Sequence, residues 1–454
     1  MNSDRSSIRA FPYFLRSAAL GAVFALCLYP VWGLEGRWFV IVIVAIALVS
    51  ISMIFAGRFS GFLFILLLFC VPLAGFAKWI VFDDYPEDVR LASLTTGTLG
   101  IGLTDFLIAG LYGAWAFRIF LLREEPLPRL EKVDAWVALL ALSYVLSLWG
   151  ADLRLGILAI AYLLRYILVY FYVSRHFKRR HVRWFVGAIA FAIVVESVIG
   201  ILQYGQVVPP GLILDKGAGS DRLELHYDVS GVEEGVIRAT GTTYDSHALG
   251  TYLAMLVPFF LVFLYDSAWS VRLRLASGAL LLVGFVGLVL TYSRSAWLSF
   301  AISLGVPVLV LIAWRERYVL TSAICVAVAG LITAPWVFFR VFARFFEADP
   351  AGLAARFDQY PTAWAIWRDH FLFGSGAGSY MVMLYQQNFN WAEALPVHNV
   401  LLFIGAELGF FGVVAYYGLI VVVLRRLWRL VRLRHEPDYR LALAAFAGLS
   451  QPYK

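Results

Sequence analysis

His398 is the residue of this sequence best suited to acid–base chemistry. It stands in Pro396-Val397-His398-Asn399, where a long polar connection runs back into an apolar stretch. An imidazole has an unperturbed pKa near 6.5, so it can take a proton as a general base at neutral pH. The plain architectural alternative is a helix-start histidine bonded to a loop carbonyl. Arginines accompany it. Arg340, Arg344, Arg356 and Arg368 lie in the same connection. Arg238 closes an earlier loop just before Thr240-Gly241-Thr242-Thr243, and Arg294 sits in Thr291-Tyr292-Ser293-Arg294-Ser295. A guanidinium is a planar fork that suits bidentate contact with phosphate. Any one of these arginines alone also reads as a headgroup anchor or a snorkelling residue. Several of them on one membrane face, together with a histidine, read better as an anion site.

Other ionisable residues are less decisive. Arg165 falls in the middle of an apolar stretch, within Tyr162-Leu163-Leu164-Arg165-Tyr166. A charge at that depth marks a functional site or a buried pair, and Glu196 of the next apolar stretch is the expected partner. Glu407, in Glu407-Leu408-Gly409-Phe410-Phe411-Gly412, shares a predicted helix with His398. It pairs with an arginine, orients a neighbour, or only locks two helices. Gly374-Ser375-Gly376-Ala377-Gly378 superficially looks like a phosphate loop. No strand or Lys-Ser/Thr accompanies it, so it reads as a tight turn with close backbone packing. His370 reads as structural. Asp83, Asp84, Glu87 and Asp88 form an acidic loop without histidine or ligand spacing, a solvated loop rather than a metal site. Cys27, Cys70 and Cys325 all lie in apolar runs and offer neither a disulfide framework nor metal-ligand spacing.

The elements that must position these residues are membrane helices. Hydrophobic residues make up 61% of the chain and mean hydropathy is +0.79, whereas a soluble domain is about 45–50% apolar. Many apolar runs approach the ~20 residues that cross a bilayer, and short alternating barrel segments are not the pattern. The fold class is all-α: a polytopic transmembrane bundle of about twelve spans. Helices are predicted at 12–31, 38–56, 61–81, 99–120, 134–149, 153–174, 183–204, 246–265, 275–292, 296–314, 318–337 and 397–424. The polar start, Met1 to Ala10, precedes a long span without a small-residue cleavage pattern, so it reads as leading into a retained first helix rather than a signal peptide. The net charge of +7 resides at helix ends, which does not suggest nucleic acid. Basic clusters at Arg5 and Arg9, Arg123 to Lys132, Arg175 to Arg183, Arg272 and Arg274, Arg315 and Arg317, and Arg425 to Arg434 all fall on one side, which makes the N-terminus cytoplasmic. The acidic loop and the loops at 205–245 and 338–396 fall on the other side of what reads as a single membrane domain, 1–454. The segment Phe357 to His370, with Trp364 and Trp367, has amphipathic helical spacing and can lie along the interface. Leu441 to Lys454 begins another apolar stretch, too short to span.

Taken in order over about 190–425, these motifs resemble the O-antigen ligase/polymerase superfamily of bacterial envelope proteins. The matching pieces are Arg238 with Thr240-Gly241-Thr242, Thr291-Tyr292-Ser293-Arg294-Ser295, Phe373 to Gly378, and His398-Asn399 with Glu407-Leu408-Gly409 and Gly412. The His-Asn plus Glu-x-Gly signature after a long outer loop is the more specific part. The resemblance implies a metal-independent, inverting glycosyltransferase without a cofactor, in the inner membrane, with its site facing the periplasm. Its donor is a glycan on undecaprenyl diphosphate. A ligase moves that glycan onto lipid A–core, and a polymerase moves it onto another repeat unit. The implied roles are His398 as catalytic residue, Arg165, Arg238 and Arg294 on the diphosphate, and Asn399 and Glu407 in support. The ligase is the expectation and the polymerase its neighbour. A transporter would favour internal repeats, broken helices and midplane charges. A peptidoglycan polymerase of the shape–elongation–division type would use an outer-face carboxylate instead of His398.

Overall fold

The computed structural model describes residues 59–71, 77–81, 98–123, 128, 130–149, 152–207, 232–233, 236–243, 246–265, 270–313, 350–386 and 397–432. The predicted helices at 12–31, 38–56 and 318–337 lie outside these residues, as do the Asp83 to Asp88 loop, Arg340 and Arg344. The described chain is predominantly helical: α1 (Phe59–Cys70), α2 (Leu103–Ala116, extended by a π-helical turn to Leu121), α3 (Lys132–Ser147), α4 (Leu153–His176), α5 (Val182–Tyr204), α6 (Ser246–Leu256), α7 (Phe259–Tyr265), α8 (Val271–Val289), α9 (Arg294–Ala313), α10 (Pro350–Asp369), α11 (Tyr380–Gln386) and α12 (Val400–Arg432). Five helical segments are long and apolar enough to cross a membrane: Leu103–Phe120, Leu153–His176, Arg179–Tyr204, Val271–Val289 and Val400–Arg432. The twelve spans expected from hydropathy are thus matched here by five that meet both criteria among the described residues.

Three predicted spans have a different form. The helix expected over 61–81 is the shorter α1, followed by strand β1 (Ala77–Val81). The one expected from 99 starts as strand β2 (Thr98–Gly102), the partner of β1. The span expected over 246–265 is two helices, α6 and α7, divided at Val257-Pro258. Proline has no N–H to continue the ladder and its ring crowds the preceding turn. The starts of α2 and α3 are fixed by their own sequence. Asp105 Oδ2 accepts the Gly102 N–H (2.7 Å) and Asp134 Oδ2 accepts the Glu131 N–H (2.6 Å), so a first-turn carboxylate caps each helix.

The chain forms two compact units. In one, α1, α2, the part of α4 from Arg165 onward and the start of α5 bury Leu63, Phe64, Leu67, Leu107, Leu111 and Tyr172. The Tyr112 hydroxyl donates to the Leu168 carbonyl (2.9 Å), fastening α2 to α4. In the other unit, α3 packs along α12, and α5, α6, α8 and α9 share a core with Ile193, Leu249, Leu253 and Leu288. The α3–α12 seam is close. The Trp136 ring of α3 packs against Gly418, and Arg426 pairs with Glu131 near its end (2.7 Å). A side chain at position 418 would strike a rigid ring. Gly418→Leu should therefore destabilise the protein by about 1–3 kcal/mol through overpacking, read as a lower thermal unfolding midpoint in detergent. Trp136→Ala in the same chain should recover part of that loss; no recovery would mean the seam does not carry the effect.

Candidate functional site

Two groups of motif residues assemble within the second unit. The first is built on the end of α5. Its Gln203 points an amide at the turn that follows β4 (Val236–Ile237), the partner of β3 (Val232–Glu233). Gln203 Oε1 accepts the N–H groups of Thr240 (3.0 Å) and Gly241 (2.8 Å), and Gln203 Nε2 donates to the Gly241 carbonyl (2.9 Å). Two helical turns earlier, Glu196 accepts the Thr242 N–H (2.7 Å) and the Thr242 hydroxyl. Residues 196 and 203 are spaced to lie on one face of a helix, so α5 grips the turn at two points. Arg238 enters this turn and is only 7% exposed. The neighbouring Ala239 N–H donates to the Leu290 carbonyl (2.9 Å) at the end of α8. That bond ties the Arg238 turn to the hairpin that leads into Arg294.

The hairpin itself is held by short-range bonds. The Thr291 hydroxyl donates to the Leu288 carbonyl (2.7 Å), and the Trp297 indole N–H reaches the same carbonyl (3.1 Å). Ser293 Oγ accepts the Ala296 N–H (3.4 Å) and so caps α9, placing Arg294 at its first residue. His247 Nδ1 lies 2.9 Å from Ser293 Oγ. A serine beside a histidine is a pattern for a nucleophile and its base, but Ser293 is fully buried and occupied as a cap. Tyr292 adopts a left-handed backbone, φ 51°, a conformation that costs a non-glycine residue about 1–3 kcal/mol. Its ring stacks on Tyr204 (6.3 Å, 19°).

The second group surrounds the start of α12. Val397 is buried with Ala363 and Ile366 of α10 and with Tyr380 and Met381 of α11. The next residue, His398, is exposed. Asn399 Oδ1 accepts the Leu402 N–H (3.2 Å), so Asn399 is the N-cap of α12. A buried anchor before it and a cap after it therefore fix the backbone of His398. Gln359 of α10 meets His398 from the side: its Oε1 lies 3.3 Å from the backbone N and 3.2 Å from Nδ1. Further along, α12 breaks at Gly409 (φ 66°, ψ −164°), and the 371–376 segment runs along the break. Ser375 N–H donates to the Ala406 carbonyl (2.8 Å), Gly376 N–H to the Glu407 carbonyl (3.0 Å), and Phe410 N–H to the Phe371 carbonyl (2.8 Å). Phe371 stacks on Phe410 and Phe373 on Phe411. The glycine turn is a tight one, with positive φ at Gly374, Gly376 and Gly378, as its composition implies. Glu407 accepts the Tyr380 N–H at the start of α11 (3.3 Å). It therefore holds the loop on the helix. Burial and the nearby Glu407 carboxylate push the Tyr380 hydroxyl up to about 12, with the Val397 backbone acting the other way. Tyr380 therefore keeps its proton at neutral pH.

Arg165 has a different setting. It pairs with Asp105 of α2 (2.6 Å) in the first unit, and Glu196, the partner expected from sequence, is committed to Thr242. Cys70 is a half-buried free thiol in α1. Among the described residues there is no cluster of three or more histidine, cysteine or acidic groups suited to a metal. Gln203, His247 and Gln359 are the positioning residues that sequence reasoning passed over. The Thr-Gly-Thr turn after Arg238 is the one signal that a nearby clamp was needed.

If the α5 clamp positions Arg238, Gln203→Leu strands two buried N–H groups at about 1–3 kcal/mol each. A lower unfolding midpoint in nanodiscs is expected; an unchanged midpoint would remove the clamp from the account.

No curated protein matches the chain. Residues 278–417, which hold Arg294, the glycine turn, His398, Asn399 and Glu407, match the family described as O-Antigen ligase.

Proposed function

We propose that the protein is a glycosyltransferase of the bacterial inner membrane, an O-antigen ligase that moves a glycan from undecaprenyl diphosphate to lipid A–core at the periplasmic face. The observation that carries this reading is the setting of His398: exposed, one residue before the Asn399 cap, and inside the segment that matches the O-Antigen ligase family. In the reaction the acceptor hydroxyl oxygen attacks the anomeric carbon from the face opposite the diphosphate. Its proton passes to His398. The anomeric carbon–oxygen bond breaks, its electron pair leaves on the diphosphate, and the configuration inverts. Arg238 and Arg294 carry the charge that develops there. Their two turns are joined by the Ala239–Leu290 bond, which supports a shared role. Arg165 is already paired with Asp105, so the diphosphate assignment rests on the other two. Arginines supply the positive charge and the lipid diphosphate arrives activated, so the reading calls for neither metal nor cofactor. The N-terminus is cytoplasmic, the loops at 205–245 and 338–396 are periplasmic, and the partners are the two lipid-linked substrates and surrounding membrane lipids, with no nucleic acid.

The test uses purified protein in nanodiscs with undecaprenyl-diphosphate glycan, lipid A–core and EDTA. Glycan appearing on lipid A–core is expected. Longer glycan remaining on the carrier would instead identify a polymerase, and no product from folded protein would favour a transporter. His398→Ala should lower transfer by about 10²-fold or more, the usual contribution of a placed base, while the protein stays monodisperse; full activity would remove His398 from the mechanism. Arg238→Ala or Arg294→Ala should raise KM for the donor more than for the acceptor. Unchanged donor dependence in both variants would sink the diphosphate assignment.

A further inference from the structure

The contact between Gln359 and His398 carries information about a proton. Gln359 Oε1 lies within hydrogen-bond distance of two nitrogens of the same residue, the His398 backbone N (3.3 Å) and Nδ1 (3.2 Å). A backbone N–H can only donate. The atom facing it must therefore be the amide oxygen, because the amide nitrogen would set donor against donor. The orientation of the Gln359 amide follows from the chain and not from the ring. One carbonyl oxygen has two lone pairs and can accept both bonds. It has no proton to give, so Nδ1 satisfies it only as Nδ1–H. In a neutral imidazole the lone pair then resides on Nε2.

We propose that Gln359 is a positioning residue that sets the tautomer of His398, holding the proton on Nδ1 and making Nε2 the nitrogen that accepts the proton of the acceptor hydroxyl. The proposal rests on the glycosyl-transfer reading for its role in the reaction, but not for the tautomer itself. Its parts are pre-assembled. Gln359 is on α10, whose Ala363 and Ile366 pack in one cluster with Val397, the residue before His398. Val397 anchors the backbone, Asn399 caps the helix, and Gln359 fixes the ring. When Nε2 takes the proton, the resulting imidazolium carries hydrogen on both nitrogens and keeps its bond to Gln359 Oε1. The oxygen therefore serves the base before and after transfer, and no rearrangement of Gln359 is needed between the two states.

Histidine-labelled protein in nanodiscs allows the tautomer to be read by nitrogen-15 solid-state NMR. The His398 signals are assigned by their loss in His398→Ala among the seven histidines of the chain. The expected result is Nδ1–H in the wild type and in Gln359→Glu, which keeps an acceptor oxygen at the same reach, and a mixed or Nε2–H population in Gln359→Leu. Turnover should follow: Gln359→Leu lowers kcat by about 10- to 100-fold, up to the lower bound of the 10²–10⁴ that a placed base supplies, leaves both KM values within about twofold, and Gln359→Glu restores most of kcat. Nε2–H in the wild type, or an unchanged tautomer in Gln359→Leu, overturns the proposal. If His398→Ala retains full transfer, the base reading fails and the catalytic role of Gln359 fails with it, while the NMR result separately decides whether the Gln359–His398 bond exists. Because Gln359→Leu can also disturb packing, Gln359→Glu decides between the two causes: rescue of the tautomer without rescue of kcat would overturn the role in transfer.

Discussion

Away from water, every backbone N–H and C=O that leaves a helix or strand must find another partner, and each group left without one costs several kcal/mol. The organisation of this protein follows from that constraint. Its motifs sit where the chain stops being regular, at the turn after Arg238, the hairpin before Arg294, the glycine turn, and the break and start of α12. At each point a side chain or a second segment takes up the exposed groups. Gln203 and Glu196 close the first turn, Thr291 and Ser293 the hairpin, Asn399 the start of α12, and Ser147 of α3 takes the Ala377 N–H (3.2 Å). Motif conspicuousness and backbone accounting are two views of the same positions.

The scheme separates support from chemistry. Glu196, Gln203, Thr242 and Ser293 are buried, while His398 is exposed. Polar residues that hold the backbone are withdrawn from solvent, where competing water cannot loosen them. The group proposed to meet substrate is held by its neighbours rather than by its own burial. Arg238 occupies the middle ground: its turn is locked from α5, and its guanidinium belongs to a residue that is largely buried, a setting in which a positive charge acts strongly on an anion.

Several features were legible in the sequence. The apolar runs at 134–149, 153–174 and 183–204 correspond closely to α3, α4 and α5, because a span-length hydrophobic stretch has few other options. The glycine turn and a helix after Phe357 were also readable; the latter is the C-terminal part of α10. What was not legible is long-range or local-exception physics. Pro258 divides an apolar run that hydropathy alone joins. The break at Gly409 leaves no mark in average hydrophobicity. Arg165 was paired with Glu196 by proximity of helices in sequence, whereas Asp105, a helix-capping carboxylate 60 positions upstream, takes it. Gln359 and Gln203 are single amides whose partners lie 39 and 37–38 residues away, and no spacing rule connects such pairs. The arginines and the histidine were found because their chemistry is visible in the residue type. The amides that position them were not, because an amide acquires its role only from what it faces.

The break in α12 also says something about where charge can be bound. An interrupted membrane helix ordinarily offers two open ends, with donors at one and acceptors at the other, and these ends attract ions. In this protein the 371–376 segment bonds to groups on both sides of the break. The carbonyls of Ala406 and Glu407 receive the Ser375 and Gly376 N–H groups, and the Phe410 N–H is taken by the Phe371 carbonyl, flanked by stacked phenylalanines. The break behaves as a splice that joins a loop to a helix.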